Sequence, residues 1–156
     1  MGNTNLTIAA GSTYSVEGGD DTIGFISGAG NIHIPSGVTL TTSTNSNTNF
    51  SGVISGPSGD IGGNLTKSGN GNLTLSGTNT YAGSTTISGG TISISVDTGL
   101  GAVPGSPTAG HLTLNGGTLE AKASFTLNPN REISLGSNNG ASVSYTHLTL
   151  PTTSPV

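Results

Sequence analysis

Seven carboxylates, three cationic side chains and three histidines are all the ionisable chemistry this chain carries apart from its tyrosines and termini. Glu17, Asp20, Asp21, Asp60, Asp97, Glu120 and Glu132 are the groups that acid–base work on a glycosidic bond would need. That reaction requires two carboxylates flanking one bond, with basic partners near them. Only Asp20 and Asp21 are adjacent, and Gly18-Gly19 before them marks a turn. Aspartate in a turn ordinarily hydrogen-bonds its own local backbone, so the pair reads as a turn pair. A calcium-binding Gly-Asp solenoid would repeat Gly-Gly-x-Gly-x-Asp, and here there is one unrepeated instance.

The other candidates also read as structure. His33, His111 and His147 stand far apart, without metal-ligand spacing, and are expected at the surface. His33 alternates with Ile32 and Ile34, which puts it on the outer side of a strand. No serine sits in a Gly-x-Ser-x-Gly elbow with a plausible base. Lys67 falls in register with Leu65 and either caps a corner or extends outward. Tyr81 is expected to cover apolar surface near Leu73 or Ile87 with its hydroxyl in water, sugar stacking being the alternative. The expectation is therefore no catalytic residue, no metal and no cofactor.

What must position these groups is a β-ribbon. From Leu65 to Ile87 every second residue is apolar or glycine except Lys67, Asn79 and Thr85, and those between are mostly Thr, Ser and Asn. That period belongs to strands, and the glycines cut the run into short ones. Gly63-Asn64-Leu65-Thr66 recurs as Gly71-Asn72-Leu73-Thr74, and Ile87-Ser88-Gly89-Gly90-Thr91-Ile92 recurs as Leu114-Asn115-Gly116-Gly117-Thr118-Leu119. Ile92, Leu112 and Ile133 fall roughly twenty residues apart, a plausible full coil. Upstream strands are expected at Asn5–Ile8, Tyr14–Val16, Gly30–Ile34 and Val38–Leu40, with Thr41 to Asn49 as an exposed polar loop. Thr98 to Gly110, holding Pro104 and Pro107, is expected to bulge from a corner.

Leu65-x-Lys67-x-Gly69-x-Gly71-x-Leu73-x-Leu75-x-Gly77-x-Asn79-x-Tyr81-x-Gly83-x-Thr85 resembles the autotransporter-associated β-strand repeat of bacterial passenger domains. The resemblance is close from Leu65 to Ile94 and looser over 45 to 145. It implies a right-handed parallel β-helix exported to the bacterial surface by type V secretion. It implies no particular reaction.

The expected fold is thus all-β, a right-handed parallel β-helix (β-solenoid) of about five to seven coils, truncated, with a β-sandwich as the alternative. Asn-Gly at 115–116 and 139–140 is the hairpin signal that speaks for the sandwich. Leu65, Leu73, Leu75, Ile87, Ile92, Ile94, Leu112, Leu114, Leu119, Leu127, Ile133 and Leu135 are expected to point inward. Residues 1–143 are expected to form the β-helix fragment, and 144–156 an off-pattern tail that resembles translated adapter sequence, a genuine last strand with a Pro-rich tail being the alternative.

Composition narrows the function classes. Hydrophobic residues make up 30% and charged ones 6%, too little charge for electrostatic disorder but enough aliphatics for a narrow core. Lys67, Lys122 and Arg131 are the only Lys or Arg, so phosphate-based nucleic-acid binding is excluded. No cysteine is present. No run reaches transmembrane length, and the first ten residues lack a signal-peptide pattern. The expected role is a non-catalytic structural or adhesive stalk of a secreted or surface-displayed autotransporter passenger, extracellular or on the outer membrane. Its expected partners are a host surface or carbohydrate met through other modules, the membrane only through a β-barrel domain, and further copies meeting at exposed solenoid ends. An ice- or ligand-binding solenoid is the alternative, and a polysaccharide-active β-helix enzyme is the second. Ordered Thr ladders would favour ice, but Thr39–Thr41, Thr78–Thr80 and the run from Thr146 show no constant coil spacing.

Overall fold

The computed structural model describes residues 4–57, 62–138, 142–144 and 148–149. The chain winds as a β-solenoid in which every strand pairs in parallel with a strand of a neighbouring coil. The first coil holds β1 (Leu6–Ile8), β2 (Thr13–Ser15) and β3 (Asp21–Ile23). The second holds β4 (Ile26–Gly28), β5 (Asn31–His33) and β6 (Thr39–Ser43), and the third β7 (Thr48–Phe50), β8 (Ile54–Ser55) and β9 (Asn64–Ser68). The fourth has β10 (Asn72–Leu75) and β11 (Thr85–Ile87), the fifth β12 (Thr91–Ile94) and β13 (Thr108–Leu114). The sixth has β14 (Thr118–Ala121), β15 (Phe125–Thr126) and β16 (Arg131–Leu135), and β17 (Ser142–Ser144) with β18 (Leu148–Thr149) begins another.

Three faces result. One sheet runs β1-β4-β7-β10-β12-β14-β17 and a second β3-β6-β9-β11-β13-β16. The third face is broken. It is β2-β5-β8 at one end and β15-β18 at the other, and between them lie the Thr78–Tyr81 segment and a single 3-10 turn, Asp97–Leu100. Backbone bonds carry the winding across this gap, from Thr80 and Tyr81 N–H to Ile54 O and from Ala102 N–H to Tyr81 O.

The sequence repeats differ in what they mean. Ile87 pairs with Leu114 and Ile92 with Leu119, so the Gly-Gly-Thr repeat is a true coil-on-coil stack. Leu65 and Leu73 instead lie on two sheets of successive sides of the winding. Ile92 does not stack with Leu112, which pairs with Thr85 and Ile133. Coil length varies: the chain advances 19 residues from Leu73 to Ile92 and 27 from Ile92 to Leu119. Asn115-Gly116 forms a corner, Gly116 at φ 103, and β13 and β14 pair with other coils and not with each other. Asn139-Gly140 lies outside the described residues.

The Thr41–Asn49 tract is not a loop. It supplies the end of β6 and the start of β7, with residues 44–47 as the corner. Asparagine suits such corners because its side-chain oxygen can accept a backbone N–H one coil away. Asn45 Oδ1 takes the N–H of Asn70, Asn47 that of Asn72, and Asn115 that of Asn138. Each bond satisfies a corner amide that the ladder leaves open.

The core is a single column of aliphatics, among them Leu40, Leu65, Leu73, Leu75, Ile87, Ile92, Leu112 and Leu119. Burial of each contributes roughly 1.5–3 kcal/mol. Two expected core residues differ. Ile133 is only partly buried, and Leu135 is 72% exposed. Both sit on β16, the last strand of its sheet among the described residues, so no described strand covers its far side. Among the described residues no helix is long and apolar enough to cross a membrane.

Candidate functional site

The carboxylates singled out first do not face each other. Gly18 and Gly19 turn at φ 80 and 120, and Asp21 opens β3. Asp20 Oδ1 accepts the Thr39 N–H at 2.7 Å. Asp21 Oδ2 accepts the Tyr14 hydroxyl at 2.6 Å. That hydrogen bond, with burial and the carboxylate charge, raises the Tyr14 pKa to about 12. Asp20 thus ties its turn to the next coil, and Asp21 holds Tyr14 within its own coil. Glu120 accepts from Ser93 Oγ and pairs with Lys122 at 2.9 Å on an open surface, which lowers its pKa. Asp60 lies outside the described residues, and no group of three or more His, Cys, Asp or Glu with metal-holding geometry occurs among the described ones.

Lys67 and Tyr81 turn inward. Lys67 is 0% exposed, in register with Thr42 and Ile87. Its Nζ donates to the carbonyls of Ser68 and Gly69 at 2.6 and 3.1 Å, so it caps a corner from inside. Burial without an anionic partner lowers its pKa to about 8. Tyr81 is also fully buried, and its hydroxyl meets Thr85 Oγ1 at 2.7 Å and not water. Burial raises its pKa to about 12, and it presents no ring for a sugar to stack on. The break in the third face makes room for this ring, which the strand-like alternation alone did not reveal.

Behind Tyr81 lies a polar cluster that sequence spacing hid. Arg131 is 1% exposed. Its Nε bonds both oxygens of Asp97, at 3.0 and 3.1 Å. Its terminal nitrogens donate to Leu100 O at 3.1 Å and Gly101 O at 2.5 Å. Asp97 also accepts the Asn128 N–H. Gly101 holds φ +86 with its backbone against the Tyr81 ring, a position where any side chain would collide. The segment expected to bulge therefore begins as a packed turn, with Leu100 buried.

His111 completes the cluster and is 5% exposed, not a surface histidine. Arg131 donates to its Nδ1 at 3.3 Å, which leaves the ring proton on Nε2. Nε2 has no well-formed hydrogen bond, although the Ala82 backbone nearby favours the charged ring. Burial and the Arg131 charge outweigh that contact and lower the His111 pKa, so the ring is neutral at pH 7. His33, by contrast, faces outward, half-buried against Ser55.

His111 lines a groove of about 450 Å³. Asn64 and residues 82–84 form one wall, and Pro104 with residues 108–110 the other. Gly83 belongs to the first wall because a Cβ there would strike Asn64 Oδ1, which accepts the Ser84 N–H at 2.9 Å. Asn64 also starts β9, so the groove borders the outer face of the second sheet.

That face carries a ladder. Thr22 stacks on Thr41, Thr41 on Thr66, Thr66 on Thr86, Thr86 on Thr113 and Thr113 on Ser134. The rungs repeat at the strand spacing of about 4.8 Å. An ordered threonine array thus exists, contrary to the sequence expectation, because unequal coil lengths scrambled its spacing. It uses neither Thr39 nor the Thr78–Thr80 pair.

Comparison with known proteins follows the same outline. Residues 65–94 match the passenger-associated transport repeat. The chain is 37% identical over 153 residues to the adhesin BmaC autotransporter of Brucella suis biovar 1 (strain 1330). The match covers 91% of this chain and about 4% of that relative's length. No solved structure matches the chain significantly. A β-solenoid whose coils stack through residues 65–94 in this way carries an autotransporter passenger repeat.

Proposed function

We propose that this chain serves as a rigid, adhesive stretch of an autotransporter passenger displayed on a bacterial surface, without catalysis of its own. The observation that supports this most is the in-register stacking of two sheets through the repeat at residues 65–94, joined to likeness with an adhesin. A stalk needs only a continuous ladder and core along the rod axis, and both run through every coil. Asp20 and the Asp97–Arg131 pair tie one coil to the next, the geometry of a scaffold. Adherence of bacteria displaying the chain in place of their own passenger tests the role. They should bind surfaces that bare cells leave alone. Purified protein that cleaved a polysaccharide, and lost the activity on Asp20→Asn or Asp21→Asn, would overturn the reading.

A further inference from the structure

We propose that the threonine face and the groove at its edge form a track for a neutral glycan chain. The proposal rests on the adhesive reading above and gives it a ligand class. Three observations carry it. First, the hydroxyls of Thr22, Thr41, Thr66 and Thr86 have no intramolecular partner among the described residues, so they are open donors and acceptors at regular intervals. Second, the groove beside them carries the polar side chains of Asn64 and Ser84 on one wall, with His111 at its lining. Third, the groove lining is uncharged, and the nearby Arg131 is already neutralised by Asp97. An uncharged lining matches an uncharged ligand, and desolvating an anion there would go uncompensated. Ala82 and Pro104 offer apolar surface for the C–H face of a sugar ring, with a few polar groups to orient it.

The test is titration of the whole protein with three neutral hexasaccharides, a β-glucan, a xylan and a mannan, followed by amide resonances in solution NMR. At least one should cause saturable shifts at Ser84, Thr86 and Gly110. Ser84→Trp, which fills the groove, and Thr86→Glu, which puts charge on the ladder, should each weaken that binding about tenfold or more while the melting temperature holds. The proposal fails if none of the three sugars moves those resonances at millimolar concentration. It fails equally if a sulfated oligosaccharide binds more tightly than the neutral ones, or if the face shapes ice crystals without binding sugar. Should the sugars fail while displayed cells still adhere, the adhesive reading stands and the ligand class falls.

Discussion

Arg131 reaches back 34 residues to grip Asp97, its Nε 3.0 Å from Oδ1, where the third sheet is interrupted among the described residues. The ladder on the other two faces supplies backbone partners automatically. The gap does not, and the carbonyls of Leu100 and Gly101 would be left open there. The guanidinium fork satisfies both of them and the carboxylate at once. One side chain thereby replaces several ladder bonds.

Removing the anion should expose that dependence. Asp97→Ala leaves a buried guanidinium without its counter-charge and is expected to cost about 3–5 kcal/mol. Asp97→Asn, which keeps the shape and an acceptor oxygen, should cost less. Urea unfolding of the three proteins checks this, and an unchanged midpoint for Asp97→Ala would show the pair to be dispensable.

Acid should weaken the same cluster. The folded His111 pKa lies below its ordinary value of 6.5, so the unfolded chain takes up the proton first. Stability from this residue is complete above pH 6.5 and falls as pH drops from there toward the lower folded value. His111→Gln should lose this component. The measurement is the difference in urea midpoint between pH 7.5 and 5.5 for both proteins. Equal differences in the two would contradict the assignment.

Much of this architecture was readable because two-residue alternation and coil repeats are written directly in side-chain order. Leu73 and Ile92 could be placed in the core on that basis alone. Three features escaped for physical reasons. The threonine ladder needs register, and register was obscured by coils of unequal length. Lys67 was ambiguous because a long side chain can turn inward and satisfy its charge on corner carbonyls, which spacing cannot reveal. The Asp97–Arg131–His111 cluster joins residues from separate coils around an irregular turn, and no local motif announces it.

Lys67 offers a second pH signature, of the same sign but at higher pH. Its folded pKa is about 8 against an ordinary 10.5, so the unfolded chain holds the extra proton between those values. Stability should rise with pH across that window. The stretch from pH 8 to 9.5 isolates it from Tyr14 and Tyr81, whose raised values act from about pH 10 upward. Lys67→Met should flatten the rise and raise stability at pH 7 by about 1–3 kcal/mol. Calorimetric melts over this range decide the matter, and a Lys67→Met protein less stable than the parent would show the corner caps to outweigh the buried charge.

The central claim, that this is a passenger solenoid folding on the cell surface, has one direct test. The chain is placed between a signal peptide and an autotransporter β-barrel, and intact cells are treated with external protease. Leu73→Asp, which buries an unpaired charge in the narrow core, is the matched control. The account predicts that the native chain is reached from outside yet leaves a protease-resistant fragment spanning the coils, while the Leu73→Asp chain is degraded completely. A native chain that stays inside the cell, or one that reaches the surface and is digested as fast as the Leu73→Asp form, would contradict it.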